Sequence, residues 1–344
     1  MAPTSSMSTL AGRAVSLALA LSSAPRAAVR ANDNGLALTP PMGWRSWNLY
    51  GSEVNQELIE GIMDGMVSKQ RSVDGVPTSL CDLGYCDVGL DDNWQACGAY
   101  DDGAGGTLSY HDASGAPVVN ADRFPDFNAM TDHAHALGLK AGWYGNNCIC
   151  SDGNTVDDKF YAGDVDALIG FGFDSYKLDG CGAQLDMDKW DELINASGKP
   201  IMVENCHWGS AVPYEPTADW CPWNFYRTSG DVRASYASVV GNLATAVAYS
   251  DRNLSYPGCW AYPDMLEVGV YDSDFNEPGL TTEETRSHFG AWAARRLVST
   301  VRGSYGCLRG EDGAADGPGA PRCPLVSTGA RGPSSHRRGS YSQL

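Results

Sequence analysis

Along this chain, two kinds of apolar run alternate. Short dense runs near 41–47, 85–92, 139–145, 173–179, 200–207, 223–229 and 256–263 are rich in aromatic, branched and small residues, and each reads as a strand. Between them, segments near 55–70, 124–137, 158–171, 184–196, 233–250 and 281–298 carry apolar residues at mixed three and four spacing, which predicts amphipathic helices. Strand and helix in repeated alternation predict an α/β fold with a parallel sheet. No glycine-rich phosphate turn follows the first strand, which favours a (β/α)8 TIM barrel over an open doubly wound sheet. The eighth β/α unit is the weak point, because Gly303–Leu308, GSYGCL, makes a poor strand.

Polar residues gather where these strands end. Trp47, Asp91, Asp92, Tyr144, Lys177, Asp179, Glu204, His207, Arg227, Asp231 and Asp264 all fall at or just past C-terminal strand ends. A barrel carries its active site on that rim, so one mouth is expected to collect them. The barrel is expected to occupy residues 32–305. Residues 306–344, rich in Gly, Pro, Ser and Arg, lack the apolar content for a core and read as a disordered tail.

Charge narrows the partners. Asp and Glu number 42 against 24 Lys and Arg, a formal net charge of −18, which argues against nucleic acid or an anionic membrane surface. Residues 1–31 combine Arg13 with the small and apolar run Ala14–Ala24 and read as a secretory leader. No later stretch approaches the roughly 18 to 20 apolar residues of a membrane span. Eleven cysteines suit disulfides in an oxidising, secreted or lysosome/vacuole-like compartment, and an odd count leaves at least one unpaired. Asn195-Ala-Ser and Asn253-Leu-Ser match glycosylation sequons.

Several chemistries are absent from the pattern. The chain has no GxxxxGK[ST], no HExxH and no CxxC set for zinc. His133 and His135 lie two apart on a helix, face different directions and suit a solvated face. Cys148 and Cys150 flank one isoleucine and suit a disulfide better than a metal. What remains is a surplus of carboxylates among aromatic rings, and two carboxyl groups are the minimum equipment for cleaving a glycosidic bond. In FDSYKLDGCG, Lys177 and Asp179 point the same way from one strand, so Lys177 is expected to hold Asp179 ionised as a nucleophile. A structural ion pair capping the strand fits that spacing equally well.

Six motifs change that balance. PPMGWRSWN, VGLDDNW, LKAGWY, YKLDGCG, NFYRTSGD and CWAYPDML, in this order, resemble glycoside hydrolase family 27, the α-galactosidases and α-N-acetylgalactosaminidases. The resemblance implies a (β/α)8 barrel, retention of anomeric configuration, no cofactor and no metal. It implies Asp179 as nucleophile and Asp231 as acid/base, with Asp231 kept protonated by repulsion from Asp179. Asp91 and Asp92 would accept from the 4- and 6-hydroxyls of a galactosyl group, Lys177 would hold ring hydroxyls, Arg227 would contact the 2-position, and Trp47 would form a flat wall. Tyr144 would stand beside the nucleophile. The family pattern also implies a disulfide from Cys148 or Cys150 to Cys181, and a second joining Cys206 to Cys221. Expected partners are galactose-containing oligosaccharides, glycolipids or glycoproteins.

Three departures matter. The family's CEW at the fifth strand is Cys206-His207-Trp208 here, with Glu204 displaced upstream. His207 then either reads a different 2-position or marks a branch resembling enzymes that also accept β-L-arabinopyranosides. The first aspartate of the family's DPD motif is Tyr262, leaving only Asp264. After Trp292 the chain leaves the family pattern, and the family's C-terminal β-domain has no counterpart. Two other readings stand beside an exo-glycosidase: an inactive carbohydrate-binding homologue, and a metal-dependent barrel hydrolase using Asp91, Asp92, Asp179 and His207.

Overall fold

A computed structural model describes residues 34–98, 109–152, 155–209, 215–217, 220–270, 279–294 and 299–301. The expected leader, the tail and the Gly303–Leu308 run lie outside the described residues. In chain order the elements are β1 (Met42–Arg45), α1 (Trp47–Tyr50), α2 (Gln56–Val67), β2 (Arg71–Val73), β3 (Val76–Thr78), β4 (Asp87–Gly89), α3 (Phe127–Ala136) and β5 (Lys140–Gly145). They continue with α4 (Asp158–Gly170), β6 (Ser175–Asp179), α5 (Met187–Ala196), β7 (Met202–Cys206), β8 (Phe225–Arg227), α6 (Tyr236–Asp251), β9 (Trp260–Tyr262), α7 (Thr282–Ala294) and β10 (Ser299–Val301).

Eight strands form one parallel sheet in the order β10-β1-β4-β5-β6-β7-β8-β9. The last strand pairs with the first, Gly43 opposite Thr300, which is the wrap-around neighbour relation of a barrel. Among the described residues no pairing joins β9 to β10, so the fold is an incomplete (β/α)8 barrel, open at its eighth unit. That eighth strand is STV, upstream of GSYGCL, and the last predicted helix is described over Thr282–Ala294. The hairpin β2–β3, paired antiparallel, is an addition the strand and helix pattern did not suggest.

The local causes are plain. Helices α2, α3, α4 and α5 each begin at an Asn or Asp whose side chain accepts a backbone N–H of the first turn: Asn55, Asp126, Asp157 and Asp186. Every residue of β6 is buried, as expected of a strand covered on both faces. Gly142 of β5 stands opposite Ser175 of β6, and a Cβ there would lie 2.5 Å from Ser175 Oγ, so only glycine fits that register. Tryptophan fills the core: Trp44, Trp94, Trp143, Trp190, Trp223 and Trp292 are all fully buried. Trp143 stacks on Phe173 at 5.4 Å, so most of the aromatic supply serves packing rather than sugar recognition. No helix of the described residues is long and apolar enough to cross a membrane.

Among the described residues there are four disulfides: Cys81–Cys86, Cys97–Cys150, Cys148–Cys181 and Cys221–Cys259. The expected Cys206–Cys221 bridge is corrected, because Cys206 is a free, buried thiol. Parallel strands explain why: Cys206 ends β7 at the C-terminal rim, whereas Cys221 lies four residues before β8, towards the other rim. There it meets Cys259, which immediately precedes β9. Cys150 bridges back to Cys97, leaving Cys148 for Cys181.

Candidate active site

The rim is assembled from the first residues beyond each strand. Asp91 follows β4, where its N–H donates to Ser46 Oγ at 2.9 Å and its Oδ2 accepts from Lys177 Nζ at 2.7 Å. Asp92 turns its carboxylate onto loops: Oδ1 accepts from Asn93 N at 2.7 Å and Gln95 Nε2 at 2.6 Å. Its Oδ2 accepts from Cys148 N at 3.1 Å and Ile149 N at 2.9 Å. Four donors thus occupy Asp92, and it clamps the loop that carries Cys148.

Asp179 is buried at the end of β6. Its Oδ2 accepts from Tyr144 Oη at 2.7 Å and its Oδ1 from Gly180 N at 2.7 Å. Tyr144 Oη also lies 3.3 Å from Cys148 Sγ, which places the nucleophile candidate beside the Cys148–Cys181 bridge. Lys177 hydrogen-bonds Asp91 rather than Asp179, and it acts on Asp179 through its charge. Its ammonium goes to Asp91 and lies 5.1 Å over the Tyr144 ring. Burial opposes the charge on Lys177, yet Asp91 and the weaker fields of Cys206, Asp179 and Glu204 hold its pKa above the usual lysine range.

The consequence falls on Asp179. Burial pushes its carboxyl up to about 7; Lys177 and the Tyr144 hydroxyl pull it down, while Asp91 and Asp231 add to the rise. Burial outweighs the pull of Lys177 and the Tyr144 hydroxyl, so the net direction for Asp179 is upward. Asp231 lies close enough for its charge to be felt at Asp179.

Asp231 sits in the loop after β8 with 64% of its side chain exposed, and its Oδ1 accepts from Arg227 Nη2 at 2.9 Å. Arg227 is buried on β8 and also faces Asp264 Oδ2 at 3.1 Å. Asp264, at a left-handed φ of 88°, accepts from Val232 N at 2.8 Å, one residue past Asp231. It thus fixes both the cation and the backbone that aim Asp231. Trp47 begins α1 just beyond β1, half-buried, and His207 is fully buried behind the end of β7.

Two buried side chains that the strand-end pattern did not place at this mouth, Arg45 and Tyr262, meet on Glu204. Arg45 Nη2 donates to Glu204 Oε2 at 2.7 Å, and the Tyr262 hydroxyl donates to Glu204 Oε1. The signal for Arg45 was its place in β1: it shares an alternation face with Gly43, inside a strand with no other charge. Asp91, Asp92, Asp179 and His207 do not form a convergent ligand set. Among the described residues the group that does converge is Cys148, Asp179 and Cys181, two of which are joined as a disulfide.

Residues 39–299 match the family model described as Alpha galactosidase A. The chain is 34% identical over 282 residues to the α-galactosidase of Cyamopsis tetragonoloba, covering 78% of this chain and 60% of that protein. It is 31% identical over 291 residues to the α-N-acetylgalactosaminidase of Homo sapiens, covering 78% and 65%. Among solved structures, the α-galactosidase of Saccharomyces cerevisiae superposes with a TM-score of 0.64 at 22% identity, covering 81% of this chain and 62% of that one. The chain spans about three fifths of the length of the curated relatives it matches.

Proposed function

This chain belongs to the α-galactosidase family, glycoside hydrolase family 27, and we propose on that footing that it is a retaining exo-glycosidase acting on terminal α-D-galactosyl groups. The observation that supports this reading is a pair of carboxyl groups in contrasting surroundings at one mouth. Asp179 is buried and held by two neutral donors, while Asp231 is solvent-facing beside Arg227. Asp179 attacks the anomeric carbon as Asp231 protonates the departing oxygen, which forms a glycosyl-enzyme ester. Asp231 then takes a proton from water, the water attacks the same carbon, and Asp179 is released. A glycosidase of this type needs the two carboxyl groups about 5 to 5.5 Å apart across the sugar.

Lys177, Asp91, Tyr144 and Arg227 supply the polar contacts for the pyranose, with Trp47 beside its ring. Asp92 contributes mainly by holding the Cys148 loop, and it reaches a 6-hydroxyl only by giving up one of its four donors. His207 in place of the family's glutamate leaves the 2-position open, so α-N-acetylgalactosaminides and β-L-arabinopyranosides are the alternative substrates. The natural donors in this reading are galactose-containing oligosaccharides, glycolipids or glycoproteins. Four disulfides and two sequons support action in an oxidising, secreted or lysosome/vacuole-like compartment, with residues 1–31 as leader.

Purified protein assayed on nitrophenyl α-galactoside, α-N-acetylgalactosaminide and β-L-arabinopyranoside, beside Asp179→Asn and Asp231→Asn, tests the proposal. Turnover of the first, abolished by either change, is the expected result. Variants as fast as wild type would end the assignment of roles. Galactose binding without any turnover would favour a carbohydrate-binding homologue.

A further inference from the structure

Two departures from the family pattern meet in space. Tyr262, which replaces an aspartate, donates its hydroxyl to Glu204, the glutamate displaced upstream of CHW. Glu204 in turn holds Arg45 at 2.7 Å, so one buried chain of contacts runs from β9 through β7 to β1. It ends at the sugar mouth. Arg45 Nη1 has no hydrogen-bond acceptor and lies 3.8 Å from Asp91 Oδ2, the oxygen that already takes Lys177 Nζ at 2.7 Å.

Two cations therefore flank one carboxylate oxygen, Lys177 Nζ at hydrogen-bond distance and Arg45 Nη1 further off, with the Arg45 Nη2 held by Glu204. We propose that Glu204, anchored by Tyr262 and acting through Arg45, is a positioning residue that keeps Lys177 on Asp91 and away from the nucleophile Asp179. Without Glu204, the idle Nη1 of Arg45 closes on Asp91 and Lys177 is released towards Asp179, two residues along the same strand face. The inference deepens the glycosidase reading and rests on it for the word nucleophile, but the geometry stands without it.

The charged and titratable groups facing Asp179 can be named element by element. They are Asp91 after β4, Tyr144 on β5, Lys177 on β6, Cys206 on β7 and Asp231 after β8, with Glu204, Arg45 and Arg227 one layer out. Of these, Lys177 is the cation whose partner Arg45 can replace. Releasing it raises the ionisation constant of Asp179, because an approaching cation favours the carboxylate.

The test is a 13C NMR titration of Asp-labelled protein, with Asp179→Asn to assign the resonance, in wild type, Glu204→Gln, Arg45→Met and the double variant. Glu204→Gln is expected to raise the Asp179 ionisation constant about tenfold. In the Arg45→Met background the same change should alter it about twofold or less, since no second cation is left to release. An unchanged constant in Glu204→Gln, or an equal change in both backgrounds, overturns the proposal. Should Glu204→Gln fail to fold, Glu204→Asp withdraws the charge by one methylene and should move the constant in the same sense by less. In parallel, the lower limb of the kcat/KM profile should move to more acid pH with the resonance. If no glycoside turns over, the functional reading fails while the titration still decides this inference.

Discussion

Two buried acidic sites in this molecule use the same residue types to opposite ends. Behind the rim, His111 Nδ1 meets Asp152 at 2.6 Å and Nε2 meets Asp164 at 2.8 Å. The ring is sandwiched between Tyr110 at 4.1 Å and Phe160 at 4.5 Å and is fully buried. Burial opposes the imidazolium, but Asp164 and Asp152 overcome it and carry the His111 pKa up to about 9. Both nitrogens of this cation are committed to carboxylates, so the cluster is a clamp. It joins the β4–α3 connection to the loop after β5 and to α4. At the mouth the nearest cation on the strand, Lys177, is committed to Asp91, and Asp179 is left with a tyrosine hydroxyl and a backbone N–H. A buried carboxylate served by neutral donors keeps an exchangeable proton and an attackable geometry; one locked to a dedicated cation gives up both.

The largest effect that could break this contrast is on turnover. Asp179→Asn should lower kcat on nitrophenyl α-galactoside by about 10^4-fold or more, since the covalent step is lost; a loss of tenfold or less would move the nucleophile elsewhere. His111→Gln should destabilise the fold by about 3 to 5 kcal/mol in urea unfolding near neutral pH, because it strands two buried carboxylates. The same clamp has a pH signature. His111 has its pKa raised from 6.5 to about 9, so its stabilisation is complete below 6.5 and is lost as pH rises through about 9. The wild type should lose stability over that window and His111→Gln should not.

Asp179 should do the reverse of a clamp. Its pKa is raised from 3.8 to about 7, so the unfolded chain releases this proton first and the folded state is penalised as pH rises through about 7. Asp179→Asn is therefore expected to stabilise the protein by on the order of 4 kcal/mol at pH 7.5, with the difference gone near pH 4. Equal unfolding midpoints at both pH values would show that the mouth stores no such cost. The smallest effect is kinetic. The lower limb of kcat/KM should bend near pH 7, above the ordinary aspartate range, because attack requires the carboxylate.

Much of this arrangement was open to sequence reasoning, for reasons that particular residues show. Seven of the eight strands of the parallel sheet, and every helix of eight or more residues among the described residues, followed from apolar spacing, because covered parallel strands and amphipathic helices have different periods. The eighth strand, STV, is too short to carry a period of its own and exists only because β1 offers it an edge. The rim residues were found because barrel strands end where polarity begins. The partners they choose were not. Lys177 and Asp179 share a face by alternation, yet the ammonium goes to Asp91, 86 residues upstream.

What the amino-acid order determined on its own was the family and the barrel class. Both depend on local periodicity and on motifs read along the chain. What only the tertiary structure decided was which charge pairs with which, that Cys206 stays free while Cys221 meets Cys259, and that Glu204, Tyr262 and Arg45 form one unit. These are contacts between different strands inside a low-dielectric interior. There a shift of an ångström or two selects the partner, and spacing along the chain holds no record of it.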